Sequence, residues 1–365
     1  MANPPIQLSL QTTDKPTPSL TPPVTPVAKE KRAFDTLENV RYFTDDLEIC
    51  RDTNDRPLEF GRGVWSTVYK ARSAPAPNAL GTPPSSPVTA AQVYAVKAPL
   101  RRDARPVLKA EAATLTRLSH IPGHGKHIVT YHGFHDELCA LVLSAIPLSL
   151  STYIETAAEA ARSKPISMQS MFEPIQGPAP FKDLARKLIT ALNWLHDTAG
   201  VVHGDIKPQN ILLRECEDTD FPYEPLFIDF SATVEIPKDD APLDTTRASM
   251  SSFTPPFTAP EMLASLMCAE MAPTPASDVF SLAATLLAVA TGDLLIYSNM
   301  NHRLRLEMAR SGHQIIDFAR SGVSGCRVPR NGFVERIVKP AVVKDPGMRI
   351  ATAEWVKVVS EILEE

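Results

Sequence analysis

The chain has 365 residues, 44% hydrophobic and 22% charged, with a formal net charge of −5, enough apolar material for one large domain or two lobes with real cores. The acidic balance speaks against a broad nucleic-acid-binding surface. The longest apolar run, near Leu282–Ala290, is too short to span a bilayer, and five scattered cysteines without a CxxC pair read as buried thiols in a reducing compartment.

Residues 1–34 are rich in Pro, Thr and Ser and bury too little apolar surface to offset chain entropy, which predicts a disordered tail. No apolar core of a secretory signal stands at the N-terminus, so an intracellular protein, cytoplasmic or nuclear and not bound to membrane, is expected. The folded domain is placed at 35–365, with a first lobe over about 45–146 and a second over about 147–365. RPLEFGRGVWSTVYKARS (56–73) alternates around glycine and predicts two strands joined by a turn. Residues 73–92, again Pro- and Ser-rich, read as a long surface insertion. Thr-Pro and Ser-Pro steps at Thr17, Thr21, Thr25, Thr82 and Ser86 fit an upstream proline-directed kinase, and equally the plain composition of disordered sequence.

QVYAVKAPL (92–100) predicts a further strand. RPVLKAEAATLTRLSH (105–120) predicts an amphipathic helix with Leu108, Ala112, Leu115 and Leu118 on one face and Pro106 near its start. HIVTYHGFHDELCALVLSA (127–145) predicts two more strands. Helical patterns then dominate, at 181–199, 278–292, 301–312 and 352–365. Strands first and helices after give an α+β, two-lobed reading.

The chemistry concentrates in four places. In GRGVWSTV (61–68), Gly61 and Gly63 let the backbone approach a bound group, and the amides of such a turn can face phosphate oxygens; a plain hairpin turn explains the same residues. Lys97 closes an apolar strand and needs an anionic partner, with Glu111 on the next helix the first candidate and a nucleotide phosphate the second. In VVHGDIKPQNILL (201–213) an acid, Asp205, stands two residues before Lys207 and five before Asn210. A carboxylate there can orient a hydroxyl and take its proton, an ammonium can hold a phosphoryl group, and an amide oxygen can ligate a divalent ion. Asp229, leaving the apolar strand LFI, supplies a second metal ligand. A base, a phosphate cation and magnesium ligands are the parts that phosphoryl transfer from a nucleotide uses.

In this order the motifs resemble those of the eukaryotic protein kinases, of the serine/threonine type, over about residues 50–365. The resemblance extends to Ala259-Pro260-Glu261, to SDVFSL (277–282) with Asp278, and to DPGMRI (345–350), whose Arg349 would pair with Glu261. It implies a strand-rich first lobe, a helical second lobe, ATP and Mg2+ as cofactors, a protein substrate and a monomeric chain. By the same resemblance Gly61, Arg62, Gly63 and Val64 would cover the phosphates, Lys97 would hold them and Glu111 would position Lys97. Val68, Ala95 and Leu212 would sandwich the adenine. Leu143 would be the gatekeeper, and Ser144, Ala145 and Ile146 the hinge. Asp205 would be the catalytic base with Lys207 on the γ-phosphate, and Asn210 and Asp229 would bind magnesium.

Three positions depart from the family pattern: Gly204 where many members carry an arginine that clamps a phosphorylated activation segment, Ser231 for the glycine after Asp-Phe, and Ser66 for the third glycine of the turn. They leave room for a nucleotide-binding scaffold without turnover. A small-molecule kinase is the other alternative, against which Lys207, Glu261 and Arg349 speak. The segment from Asp229 to Glu261 carries Thr245, Thr246, Ser249, Ser251, Ser252 and Thr254, readable as regulatory sites or as a polar loop. His120, His124, His127, His132 and His135 invite a zinc reading that their placement between a helix and a strand does not favour, and His203 reads as a packing residue rather than a base.

Overall fold

The β-prone segments STVYKARS, VYAVKAP, YHGFH and ALVLS build the first half of the chain into an antiparallel sheet, the second and fourth as short runs buried on both faces. The computed structural model describes residues 40–73, 92–163, 168, 170–217, 220–237, 254–264, 272–297 and 301–365. The expected tail, nearly all of the insertion, Thr245, Thr246, Ser249, Ser251, Ser252 and Cys268 lie outside them. Strands β1 (Leu47–Ile49), β2 (Glu59–Arg62), β3 (Ser66–Ser73) and β4 (Val93–Pro99) are followed by helix α1 (Arg105–Ser119) and then by β5 (Tyr131–His135) and β6 (Ala140–Ser144). The sheet order is β1-β3-β4-β6-β5, with β2 on β3. The flanks of the insertion pair directly, Arg72 opposite Val93.

Helix α1 starts with Pro106 in its first turn and buries Leu108, Ala112, Leu115 and Leu118, as its periodicity predicts. It also buries Glu111, which the apolar stripe alone does not announce.

The second half is helical around two small two-stranded sheets. Helix α2 (Leu150–Ser163) leads to α3 (Pro178–Asn193), which ends in one wide π turn over Trp194–Thr198. β7 (Val201–Val202), β8 (Ile211–Glu215), β9 (Tyr223–Phe227) and β10 (Val234–Glu235) follow, β7 pairing with β10 and β8 with β9. Then come α4 (Pro260–Ala264), α5 (Pro275–Thr291), α6 (His302–Arg310), α7 (Ile315–Ser321), α8 (Phe333–Val338) and α9 (Thr352–Glu364). Helices α3 and α5 begin three residues before the apolar pattern does, because Pro178 and Pro275 occupy the first turn, where a missing N–H costs nothing. Every residue of α5 from Ser277 to Thr291 is buried, which places it at the centre of this half. Among the described residues no helix is long and apolar enough to cross a membrane.

The start of α5 is held by a reciprocal cap. Thr274 Oγ1 accepts from the Ser277 amide at 3.2 Å, and Ser277 Oγ returns to it as acceptor of the Thr274 amide at 2.9 Å. Thr274→Ala is expected to lower stability by about 1 kcal/mol, read as a lower urea midpoint at unchanged slope. An unchanged midpoint would show the cap to be idle.

Candidate active site

The turn between β2 and β3 is short: the Gly63 amide donates to Ser66 O at 2.8 Å. A Cβ at Gly61 would meet nothing within 4 Å, and one at Gly63 only Ser66 O at 3.8 Å, so the space over this turn is open. Arg62 pairs with Glu59 at the surface, Val64 is exposed and Ser66 is buried. Below the turn the sheet register puts Val68 beside Lys97 and Ala95 beside Leu143. Ala95 and Leu143 are buried and Val68 and Leu212 half-buried; Leu212 reaches this region because β8 bridges to Ser149. Ser144, Ala145 and Ile146 run on from β6, half-buried, with Ser144 Oγ beside His132 Nε2 at 3.0 Å.

Lys97 is the junction of the site. Its ammonium donates to both Glu111 oxygens, at 2.9 and 2.8 Å, and to Asp229 Oδ1 at 2.8 Å. Burial opposes its charge, but Asp229 and Glu111 outweigh that and hold it above the usual lysine range. Burial likewise pushes Asp229 upward, yet the Lys97 ammonium prevails and holds the carboxyl well below the carboxylate range. Glu111 goes the other way: its burial outweighs Lys97 and raises it. Glu111 Oε1 also accepts the Phe230 amide at 3.1 Å, so α1, β4 and the Asp229 segment are joined through one carboxylate.

Asp205 forms a second cluster. Its Oδ2 accepts from Lys207 at 2.7 Å and from Asn210 Nδ2 at 2.9 Å, and Asn210 Nδ2 also donates to the Asp205 carbonyl at 2.9 Å. Burial raises the Asp205 carboxyl, Lys207 offsets this in part, and the nearby charge of Asp229 adds to the rise. With its amide hydrogens given to Asp205, Asn210 has Oδ1 left to meet a cation. Asp229 and Asn210 together offer the hard oxygen donors that Mg2+ prefers, so the donor set fits that ion.

The loop that carries Asp205 hangs on one buried acid. Asp278 Oδ2 accepts the His203 amide at 2.7 Å and His196 Nε2–H at 3.1 Å, while Oδ1 accepts the Gly204 amide at 2.9 Å. The His203 Nε2 side faces the Ile228 carbonyl at 3.0 Å and Nδ1 faces the Asp205 amide at 3.3 Å, which fixes the neutral Nε2–H tautomer and makes His203 a spacer between the two acidic segments. Arg349 forms the expected pair with Glu261, two bonds at 2.7 Å, and also donates to the Ala276 carbonyl at 2.8 Å.

Sequence reasoning missed His196, which shares Asp278, and the side-chain role of Ser231. Ser231 Oγ donates to Asp229 Oδ1 at 2.7 Å, and Asp229 itself takes the left-handed conformation, φ 65°. A hydroxyl two residues after an acid is the signal for such a local bond. Of the histidines named for zinc, His120 and His124 face carbonyls of their own turns, His132 faces Ser144 and His135 Nδ1 faces the Leu138 amide, while His127 stacks on Trp194 with its buried Nδ1 unpartnered.

Gly204 is a steric requirement as well as a departure. Its φ is +83°, and a Cβ would lie 2.6 Å from the Ala232 carbonyl oxygen and 3.0 Å from Pro273 Cγ. Gly204→Arg is therefore expected to lose at least about 1–2 kcal/mol of stability. Thermal unfolding of the variant checks this, and a wild-type midpoint would refute it.

Residues 86–357 match the family model described as protein kinase domain. The turn at Gly61–Val68 lies before the matched span. The chain is also 33% identical over 181 residues to the serine/threonine-protein kinase PknK of Mycobacterium bovis, covering 48% of this chain and 14% of that protein. The PknK of Mycobacterium tuberculosis matches at 32% over the same length. Ribosomal protein S6 kinase alpha-4 of Mus musculus is 39% identical over 83 residues, 22% of this chain and 10% of that protein. The matches thus span about a seventh or less of these relatives' own lengths.

Proposed function

We propose that this chain, which belongs to the protein kinase family, transfers the γ-phosphate of ATP to serine or threonine hydroxyls of protein substrates. The observation that carries this reading is the ion-pair chain Glu111–Lys97–Asp229 standing complete beside an Asp205 held by Lys207 and Asn210.

In this reading Lys97, fixed by Glu111, holds the α- and β-phosphates, and the open turn at Gly61–Val64 covers them with backbone amides. Val68, Ala95 and Leu212 contact the adenine, Leu143 bounds its pocket, and the backbone of Ser144, Ala145 and Ile146 reads its edge. Asp205 orients the substrate hydroxyl and accepts its proton as the new O–P bond forms and the bond to the β-phosphate oxygen breaks, releasing ADP. Lys207 moves from Asp205 to the γ-phosphoryl oxygens. Asn210 and Asp229 would hold Mg2+, which when bound would neutralise charge on the phosphates. The similarity to the PknK kinases, whose name specifies serine and threonine, agrees with Lys207 in the loop.

One observation favours a second reading, a scaffold that binds nucleotide without turnover. Ser231 Oγ occupies a lone pair of Asp229 that a metal would otherwise find free. Incubating the full chain with labelled ATP, Mg2+ and dephosphorylated casein, with Asp205→Ala beside it, separates the two. Label transfer by the wild type alone supports the kinase. Nucleotide binding without transfer, in Mn2+ as well as Mg2+, supports the scaffold.

A further inference from the structure

The outer edge of β5 is not left bare. Residues Val40–Phe43 run alongside it: the Phe134 amide donates to the Arg41 carbonyl at 2.8 Å and the Phe43 amide to the Phe134 carbonyl at 3.0 Å, with Tyr42 bridged to Phe134 in parallel. Tyr131 Oη donates to the same Arg41 carbonyl at 3.1 Å. The approach is close enough to dictate a residue on the partner strand. A Cβ on Gly133 would lie 2.7 Å from both the Phe43 nitrogen and the Tyr42 carbonyl carbon, so only glycine admits the segment here.

The same four residues hold α1. Val40 is buried in the core that contains Leu108, Ala112 and Leu115 of that helix. The Arg41 amide donates to Thr116 Oγ1 at 3.0 Å, and this hydroxyl in turn donates to the Ala112 carbonyl at 2.7 Å. A hydroxyl engaged as donor and acceptor is locked in one rotamer. Thr116 lies five residues after Glu111, about 7.5 Å along the axis. The contact therefore grips α1 just beyond the carboxylate that meets Lys97, on the side away from the cleft.

We infer that Val40–Phe43 is a positioning segment for the phosphotransfer site, setting the depth of α1 and thereby the Lys97–Glu111 pair. The inference rests on the kinase reading for its effect on turnover, though not for its effect on α1. It makes Val40–Phe43 part of the working domain.

The test uses the full chain. Arg41→Pro with Phe43→Pro deletes the two amides that the segment donates to Thr116 and Phe134 while leaving Val40 in place. Thr116→Val removes only the hydroxyl, a change too small to prevent folding, and Thr116→Ser keeps it. Expected are faster hydrogen exchange in α1, a KM for ATP raised about ten-fold in the double proline variant and less in Thr116→Val, and wild-type behaviour in Thr116→Ser. Faster exchange with unchanged KM would reduce the segment to a structural strand and overturn the inference, as would wild-type values throughout. If the wild type itself transfers no phosphate, the kinase reading fails, and the inference is judged on α1 exchange and ATP affinity alone; equal ATP affinity in wild type and double variant then overturns it.

Discussion

Asp205→Ala should abolish phosphotransfer, lowering kcat by about 10²–10⁴-fold, while ATP affinity and the thermal midpoint stay near wild type. In the proposed reading the lost carboxylate is the one that takes the hydroxyl proton. The fold survives because the Asp205 carbonyl still accepts from Asn210, Lys207 keeps a contact to Thr254 Oγ1 at 3.3 Å, and Asp278 still holds the His203 and Gly204 amides. A variant with near wild-type rate would end the assignment of Asp205 as base. The wild type carries a related signature. Burial raises the Asp205 carboxyl above the ordinary range, and only the deprotonated form accepts a proton. The rate should therefore fall as pH drops through that raised value, starting above the range of an exposed aspartate.

Lys97→Met is expected to act on both chemistry and architecture. Its removal takes away the cation for the phosphates and leaves Glu111, whose side chain is 1% exposed, and Asp229 without their shared partner. Breaking a buried pair from one side costs about 3–5 kcal/mol, and Glu111, already raised, responds by taking up a proton. Activity and stability should fall together. Lys97→Met with Glu111→Gln separates them: the second change removes the orphaned charge, so the thermal midpoint should rise again while turnover stays lost. Recovery of turnover in the double variant would mean that another cation serves the phosphates.

The elements that the sequence discloses are those whose apolar residues are periodic or dense. Helix α1 and strands β3 to β6 fall where their apolar patterns lie: α1 buries one periodic stripe, and β4 and β6 are short apolar runs buried on both faces. Helix α2 goes unread because only Leu150 and Ile154 of its fourteen residues are buried, too sparse a stripe to register. The wide turn at Trp194–Thr198 hides inside an unbroken helical pattern. Val40–Phe43 has no periodicity at all; four residues in extended form pair only because Gly133 admits them. In the site, the charged residues were legible because acids and lysines beside apolar strands have few other uses. What they bond to was not. Asp278 lies more than seventy positions from the amides it receives, and Ser231 reads as a backbone substitution until its hydroxyl is seen on Asp229.

The reach of Asp278 sets an order of events at the ribosome. Lys97, Glu111, Asp205 and Asn210 are all polymerised before the carboxylate that holds the His203 amide, 75 residues further on. At about 5–20 residues per second, that interval lasts about 4–15 s. Through it the loop bearing Asp205 has no acceptor for its leading amides, and a nascent chain is unable to present a finished site. Termination between β6 and α5 should accordingly yield fragments that hold the first-lobe sheet strands yet lack the acid on which the Asp205 loop hangs.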